Sequence, residues 1–353
     1  MYLSRLNSTS FLFLRRSTTT TTTGVRSLAS SATILLRRYN APLPVITSSR
    51  ITAAGASASG SCYRYSSTST TSKRLQHQQQ QTEDEMSEEP NGLIAKSGIE
   101  LLTFGTPNGY KISILLEELK EAYGKEYTWQ SVNIMKGTQK EAWFTAVGAN
   151  GRIPAIVDHN RGGFAVFEGL AILGYLTRRY DPENRFSFPV DSAEYDEAET
   201  WMAWQHGGLG PMQGQANHFL RFAKEKIPYG IQRYVGETER LYGVLDKRLE
   251  GRTYVVGEKF SIADINLLGW ANGAVLAGID LDGQFPNVQR WLERCLARPA
   301  VQRGFAIPTE SSFSNAKLKA AAESDPEKKR QAEETAALIK SAKEQYGYKY
   351  ASP

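Results

Sequence analysis

The stretch Asn150-Gly151-Arg152-Ile153-Pro154-Ala155-Ile156-Val157-Asp158 decides how this chain folds. A tight turn runs into a proline, and the proline runs straight into an apolar strand. Proline lacks the N–H that a central strand needs, so it belongs at a strand start or an edge. Two readings follow. With a trans bond, Pro154 opens an ordinary strand. With a cis Ile153–Pro154 bond, Ile153 turns its backbone N–H and C=O outward, ready to pair with an extended peptide. Cis X–Pro bonds are uncommon in folded proteins and mark a specific structural need.

The order of elements around this stretch narrows the choice. Ile99 to Phe104 reads as a strand, and Gly105-Thr106-Pro107-Asn108-Gly109 as a turn. Ile112, Leu115, Leu116 and Leu119 then recur at helical spacing. Tyr127 to Val132 alternates as a second strand, and a loop through Lys136-Gly137-Thr138-Gln139 leads to a short helix near Glu141 to Ala146. Ala155 to Asp158 is the third strand, joined by a hairpin to a fourth, Phe164 to Phe167. Another helix begins by Ala171. The pattern is βαβ, a helix, a ββ hairpin and a helix: a mixed α/β module over 99–181, with 182–192 as a linker.

From 193 to 308 the pattern is helical throughout. Trp201 and Trp204 share a face, and Leu241, Val244, Leu245 and Leu249 form another stripe. The run Ile262 to Trp270 is apolar almost all round, so it belongs at the centre of a bundle. Ser261 and Asp264 stand three apart, the spacing of a capping box, with Phe260 and Ile265 placed for a hydrophobic staple. These residues serve folding rather than catalysis. The tail 309–353 is rich in Ala, Lys and Glu and reads as a solvated helix or disorder.

Charge divides the chain of 353 residues unevenly. Ten basic residues precede the first acid, Glu83; the rest of the chain carries 32 basic and 37 acidic residues, a net of −5. The overall +5 therefore belongs to the leader, and the mildly acidic body offers nothing to nucleic acid. The leader over 1–90, Arg-rich, Ser/Thr-rich and free of acids as far as Thr82, has the composition of a mitochondrial transit peptide. Its Thr18–Thr23 and Gln78–Gln81 runs supply no core. Met86 offers an alternative start that would give a cytoplasmic form. No segment approaches the ~20 apolar residues of a membrane span. Two cysteines, Cys62 and Cys295, make neither a disulfide framework nor a Cys-x-x-Cys pair, and the four histidines show no metal-ligand spacing, so no metal is expected. His206 and His218 are read as structural or hydrogen-bonding residues.

An α/β module with a proline-led third strand, a linker and an all-helical domain with a Ser-x-x-Asp box resembles the glutathione S-transferase superfamily over roughly residues 99–308. Thr106-Pro107-Asn108-Gly109, Trp204 to Met212 and Ile227 to Tyr234 resemble its nu-class, disulfide-bond oxidoreductase branch, which includes bacterial members and a yeast nitrogen-catabolite regulator. The resemblance implies a thioredoxin-like N-terminal domain plus an all-α C-terminal bundle, assembled as a homodimer, with glutathione as co-substrate. It also implies a cis Pro154, with Ile153 pairing its backbone with the cysteinyl residue of glutathione like an added strand.

The same resemblance distributes roles. Glu168 meets the γ-glutamyl ammonium, and the helix N-terminus at Gly169 offers N–H groups to the α-carboxylate. The family usually has serine after this acid; Gly169 keeps the amide and lacks the hydroxyl. Arg152 and Gln139 reach the glycyl carboxylate. Arg233 matches an arginine that reaches glutathione from the neighbouring subunit. No cysteine lies near the first turn, so the Asn108 amide and the Thr106 hydroxyl would face the sulfur and, with the helix dipole, stabilise a thiolate. Asn108 as a simple N-cap is the plainer reading of that residue. The implied activity is reduction of disulfides by glutathione, with conjugation to small electrophiles or reduction of peroxides as alternatives. A non-catalytic regulator acting through protein binding is the reading from a different class.

Overall fold

The computed structural model describes residues 90–311 and 313–347. The expected leader, Cys62, His77 and the alternative start at Met86 lie outside the described residues. Four strands, β1 (Ile99–Thr103), β2 (Tyr127–Ser131), β3 (Ala155–Asp158) and β4 (Phe164–Phe167), form one sheet in the order β2-β1-β3-β4. β1 and β2 are parallel and need a crossover, which α1 (Pro107–Tyr123) supplies. β3 runs antiparallel to both β1 and β4. Leu102 therefore faces Ala155 across the sheet, and Ala155 faces Phe167. This register puts the residues after β1, before β3 and after β4 along one edge.

Thr106 caps α1, its hydroxyl accepting from the Gly109 N–H at 3.2 Å. Gly109 is required: a Cβ there would lie 2.2 Å from the Phe104 carbonyl oxygen. The apolar stripe expected on α1 is buried, and so is every other position from Gly109 to Leu119. α1 is enclosed because β1 and α3 (Gly169–Tyr180) cover it from one side, and α7 (Ile262–Ala271) and α9 (Pro299–Phe305) from the other. Its polar residues are matched accordingly. Ser113 donates to the Gly304 carbonyl at 2.7 Å, Arg298 makes two 2.7 Å bonds to Glu118, and Arg303 reaches Glu117 at 2.8 Å.

A short helix, α2 (Ala142–Val147), precedes the β3–β4 hairpin. Beyond α3, Phe186 and Phe188 of the connecting segment are buried, and Asp181 accepts from the amides of Arg185 and Phe186 at 2.7 and 2.8 Å. The helical half then begins with α4 (Ala193–Trp204), a π-helical turn Gln205–Leu209, α5 (Gly210–Asn217) and a second π-helical turn His218–Phe222. α6 (Pro228–Arg248), α7, α8 (Pro286–Leu296) and α9 follow. The Trp201 and Trp204 rings meet edge-on at 5.1 Å.

α7 is buried at every position, as its all-round apolar sequence predicts. The Ser261–Asp264 capping box opens it, with the Ser261 N–H donating to Asp264 Oδ2 at 3.0 Å and the Ser261 hydroxyl accepting from Ala263 at 3.3 Å. Asp264 also accepts from the Val255 N–H at 3.0 Å and the Trp291 indole at 2.8 Å. Complete burial pushes its carboxyl up to about 6.

The tail forms α10 (Asn315–Ser324) and α11 (Pro326–Tyr346). Few apolar residues suffice to dock α11. Ile339 and Ala342 are buried, Lys343 pairs with Glu239 of α6, and the Tyr346 ring meets Tyr229 edge-on. Asn315 ties α10 to the end of α7, donating to the carbonyls of Asn272 (2.7 Å) and Ala271 (2.8 Å) and accepting from Val275 (3.1 Å). Among the described residues, no helix is long and apolar enough to cross a membrane, and no cluster of His, Cys, Asp and Glu is placed to hold a metal.

Candidate active site

Three chain segments converge at the sheet edge: the first turn of α1, the Ile153–Pro154 junction and the start of α3. The Ile153–Pro154 bond is cis. Among the described residues, neither the N–H nor the C=O of Ile153 has a hydrogen-bond partner. They form a free peptide edge of the kind that an added strand pairs with.

Asn108 is the second residue of α1 and is exposed; the cap is Thr106, which corrects the simpler reading of Asn108 as an N-cap. The indole Nε1 of Trp270, from α7, donates to Asn108 Oδ1 at 3.2 Å. An indole N–H only donates, so the amide is oriented with Oδ1 occupied and both Nδ2 hydrogens free. The Thr106 hydroxyl is placed in the same way: one lone pair accepts from Gly109, which leaves its O–H to donate elsewhere. α7 approaches α1 this closely because residue 269 is glycine; a Cβ there would lie 2.4 Å from the Pro107 carbonyl oxygen. Two donors at a helix N-terminus can hold an anion such as a thiolate.

Glu168 links β4 to α3 with φ 71°, a left-handed conformation that non-glycine residues rarely adopt. Asn150 Nδ2 donates to its Oε1 at 3.2 Å, and His206 Nε2 lies 3.3 Å from its Oε2. The first α3 amides, from Gly169 onward, have no intrahelical acceptor; the first bond runs from Ile172 to the Glu168 carbonyl. A carboxylate beside free amides suits an amino-acid group carrying both charges. A Cβ on Gly169 would meet only Lys111 Cδ, at 3.6 Å. Lys111 itself is fully buried, and its Nζ donates to Gln205 Oε1 at 2.7 Å. Burial pulls its pKa down to about 7, against the pull of Glu168.

Arg152 is exposed at the other end of the same loop. Gln139 lies beside it: a Cβ on Gly151 would be 3.0 Å from the Gln139 carbonyl oxygen, and Lys140 Nζ donates to the Gly151 carbonyl at 2.6 Å. Gln139 Nε2 donates to the Ile134 carbonyl at 3.4 Å, which leaves its second N–H to act, and its Oε1 is buried without a partner. Arg233 is not part of this cluster; on α6, its guanidinium pairs with Glu237 at 3.8 Å.

Sequence reasoning brought Thr106, Asn108, Ile153, Glu168, Gly169, Arg152 and Gln139 to one edge. It missed Lys111, Asn150 and Trp270, and it read His206 as structural or hydrogen-bonding without placing it beside Glu168. Lys111 gave a faint signal, a lysine within an apolar helical run. His206 lay in the Trp204–Met212 motif, where a π-helical turn of the sort that gathers at functional sites now stands.

The chain has close relatives. The family models for the glutathione S-transferase N-terminal and C-terminal domains match residues 97–178 and 230–299. A disulfide-bond oxidoreductase of Escherichia coli, YfcG, is 42% identical over 206 residues, covering 57% of this chain and 92% of its own. The crystal structure of a glutathione transferase homolog from Lodderomyces elongisporus, with two GSH per subunit, shares 43% identity at a TM-score of 0.57, covering 60% of this chain and 99% of that one. Ure2p in complex with glutathione shares 31% identity at a TM-score of 0.56, covering 60% and 95%.

Proposed function

This chain belongs to the glutathione S-transferase superfamily, and from that premise we propose that it is a glutathione-dependent thiol–disulfide oxidoreductase. The free donors of Asn108 and Thr106 beside an unpaired Ile153 backbone carry this reading. Glutathione lies extended along Ile153. Its γ-glutamyl ammonium meets Glu168, its α-carboxylate the α3 amides from Gly169, and its glycyl carboxylate Arg152 and the Gln139 amide. The thiolate accepts from Asn108 Nδ2 and the Thr106 hydroxyl, so no protein cysteine is needed. Buried Cys295, its thiol pushed well up by burial, takes no part.

The reaction closes with a second glutathione. The first thiolate attacks one sulfur of RSSR, forming the mixed disulfide GSSR and expelling RS⁻, which takes a proton. A second glutathione thiolate attacks the glutathionyl sulfur of GSSR, giving GSSG and the second RSH. Two glutathiones per subunit in the Lodderomyces homolog agree with this stoichiometry. The same thiolate serves conjugation to a small electrophile or reduction of a peroxide as lesser activities. The protein is a homodimer in which Arg233 reaches the neighbouring subunit's glutathione. It acts in mitochondria when the leader is made and in the cytoplasm when translation starts at Met86.

The test is glutathione-dependent reduction of 2-hydroxyethyl disulfide. A hydrogen bond to a charged group contributes about 1.5–3 kcal/mol, so Asn108→Ala is expected to lose ~10- to 100-fold in kcat/KM. Full activity in that variant removes Asn108 from the sulfur. Glutathione binding without turnover in the wild type supports the regulator instead.

A further inference from the structure

Lys111 is the one lysine of α1 that is buried completely. Its surroundings are poor ones for a cation. Its stem passes beneath Gly169, the first residue of α3, whose N-terminus carries positive potential of its own. Its amine has three donors, and Gln205 Oε1 takes one. Gln205 offers nothing further, since its Nε2 is buried without a partner. Glu168 supplies the opposing charge from α3, and that carboxylate is already held by Asn150 and His206. Charged groups on the other elements packed against α1 are engaged elsewhere. Glu100 of β1 holds His159, Asp264 of α7 holds Trp291, and Arg303 of α9 holds Glu117 and Glu121. An ammonium under a helix N-terminus is disfavoured until an anion arrives at that terminus.

Resting on the glutathione reading above, we propose that Lys111 is a positioning residue that is protonated when the γ-glutamyl carboxylate docks on the α3 amides. Glutathione binding then takes up a proton from solution. The anion supplies the charge that the site lacks, and the ammonium in turn strengthens a carboxylate clamp that has no serine hydroxyl at Gly169. With the free amine titrating near pH 7, uptake at pH 7.5 is up to about 0.8 proton per site, and affinity falls by up to ~10-fold per pH unit above that.

Isothermal titration of the full protein with S-methylglutathione, in phosphate and in Tris at pH 7.5, reads that proton without contribution from the thiol. Wild type is expected to show the uptake, and Lys111→Met to abolish it while weakening binding. Gln205→Glu places a carboxylate against the amine and holds it protonated beforehand; it is expected to bind well with no uptake, and it stands as the test if Lys111→Met fails to fold. Equal uptake in wild type and a folded Lys111→Met overturns the proposal, as does undiminished uptake in Gln205→Glu. Absence of uptake by wild type with S-methylglutathione also overturns it; proton release seen only with glutathione belongs to the sulfur, whose thiol gives up its proton on becoming a thiolate. Failure of wild type to bind either ligand refutes the glutathione reading itself, a result distinct from binding without uptake.

Discussion

The Trp270 indole and the Asn108 side-chain carbonyl, 162 positions apart in sequence, are joined by a 3.2 Å hydrogen bond across the two halves of the molecule. The bond fixes which end of the Asn108 amide faces outward. Losing it lets the amide rotate and present Oδ1, an acceptor, to the thiolate that needs a donor. Trp270→Phe removes the N–H, together with the outer ring atoms that pack against Gly210 and Gly214. We predict a kcat for disulfide reduction about tenfold lower, equivalent to ~1.4 kcal/mol, with KM for glutathione within about twofold. Steady-state kinetics decide it; an unchanged kcat means that Asn108 needs no such orientation.

Glu168 holds its backbone at φ 71° while its carboxylate is shared by Asn150 and His206. Two substitutions separate its chemistry from its strain. Glu168→Gln removes the charge that meets an ammonium and is expected to weaken glutathione binding by ~10- to 100-fold. Glu168→Gly should weaken binding as much and also relieve ~1 kcal/mol of backbone strain. Titration of ligand and denaturant unfolding measure the two effects. Equal stability of the Gln and Gly variants would show that the positive φ costs nothing.

How much of this site was legible in the sequence depends on how local each feature is. Pro154, Glu168 and the Ser261–Asp264 box are set by neighbours a few residues away, and the turn chemistry and strand order around them are written in adjacent residues. Trp270–Asn108, Lys111–Gln205 and His206–Glu168 are different. Each exists only once the helical half docks against the sheet, and no spacing rule connects residues so far apart. Lys111 also has the appearance of a solvated face position, because burial of the whole circumference of α1 is decided by α7 and α9. The tail was opaque for a related reason: two buried side chains, Ile339 and Ala342, dock a helix whose composition is otherwise that of a soluble one.

That docking is testable by itself. A Cβ on Gly278 would lie 2.3 Å from Ile339 Cδ1, so this isoleucine fills the place that the glycine leaves. Ile339→Asp buries a charge there and should detach α11 from α6. Amide exchange in 326–346 is expected to lose protection while α7 keeps its own. Unchanged protection would mean that the Lys343–Glu239 pair holds the helix alone.

Lys111 makes stability depend on pH in the unliganded protein. Its folded pKa, about 7, lies below the unfolded ~10.4, so the folded state binds fewer protons between those values. The stability contribution is fully present above ~10.4 and is lost as pH falls through about 7. Wild type should therefore gain about 2 kcal/mol between pH 7 and 9 relative to Lys111→Met. Parallel urea unfolding of the two proteins across that range checks it; curves that stay parallel place the titration elsewhere.

Gly169 stands at the first position of α3, where the family usually has serine, and there is room for one: a Cβ meets only Lys111 Cδ, at an ordinary 3.6 Å. The absence of the hydroxyl is therefore no steric necessity. Gly169→Ser adds a donor beside the amides proposed to receive the α-carboxylate. A hydrogen bond of this kind contributes about 0.5–1.5 kcal/mol net, so glutathione should bind ~2- to 10-fold more tightly. Gly169→Ala is the control, since it fills the same space and restores helix propensity without the hydroxyl. If alanine tightens binding as much as serine does, the gain comes from ordering the helix start. If neither changes it, the γ-glutamyl carboxylate is already saturated by the α3 amides and Lys111.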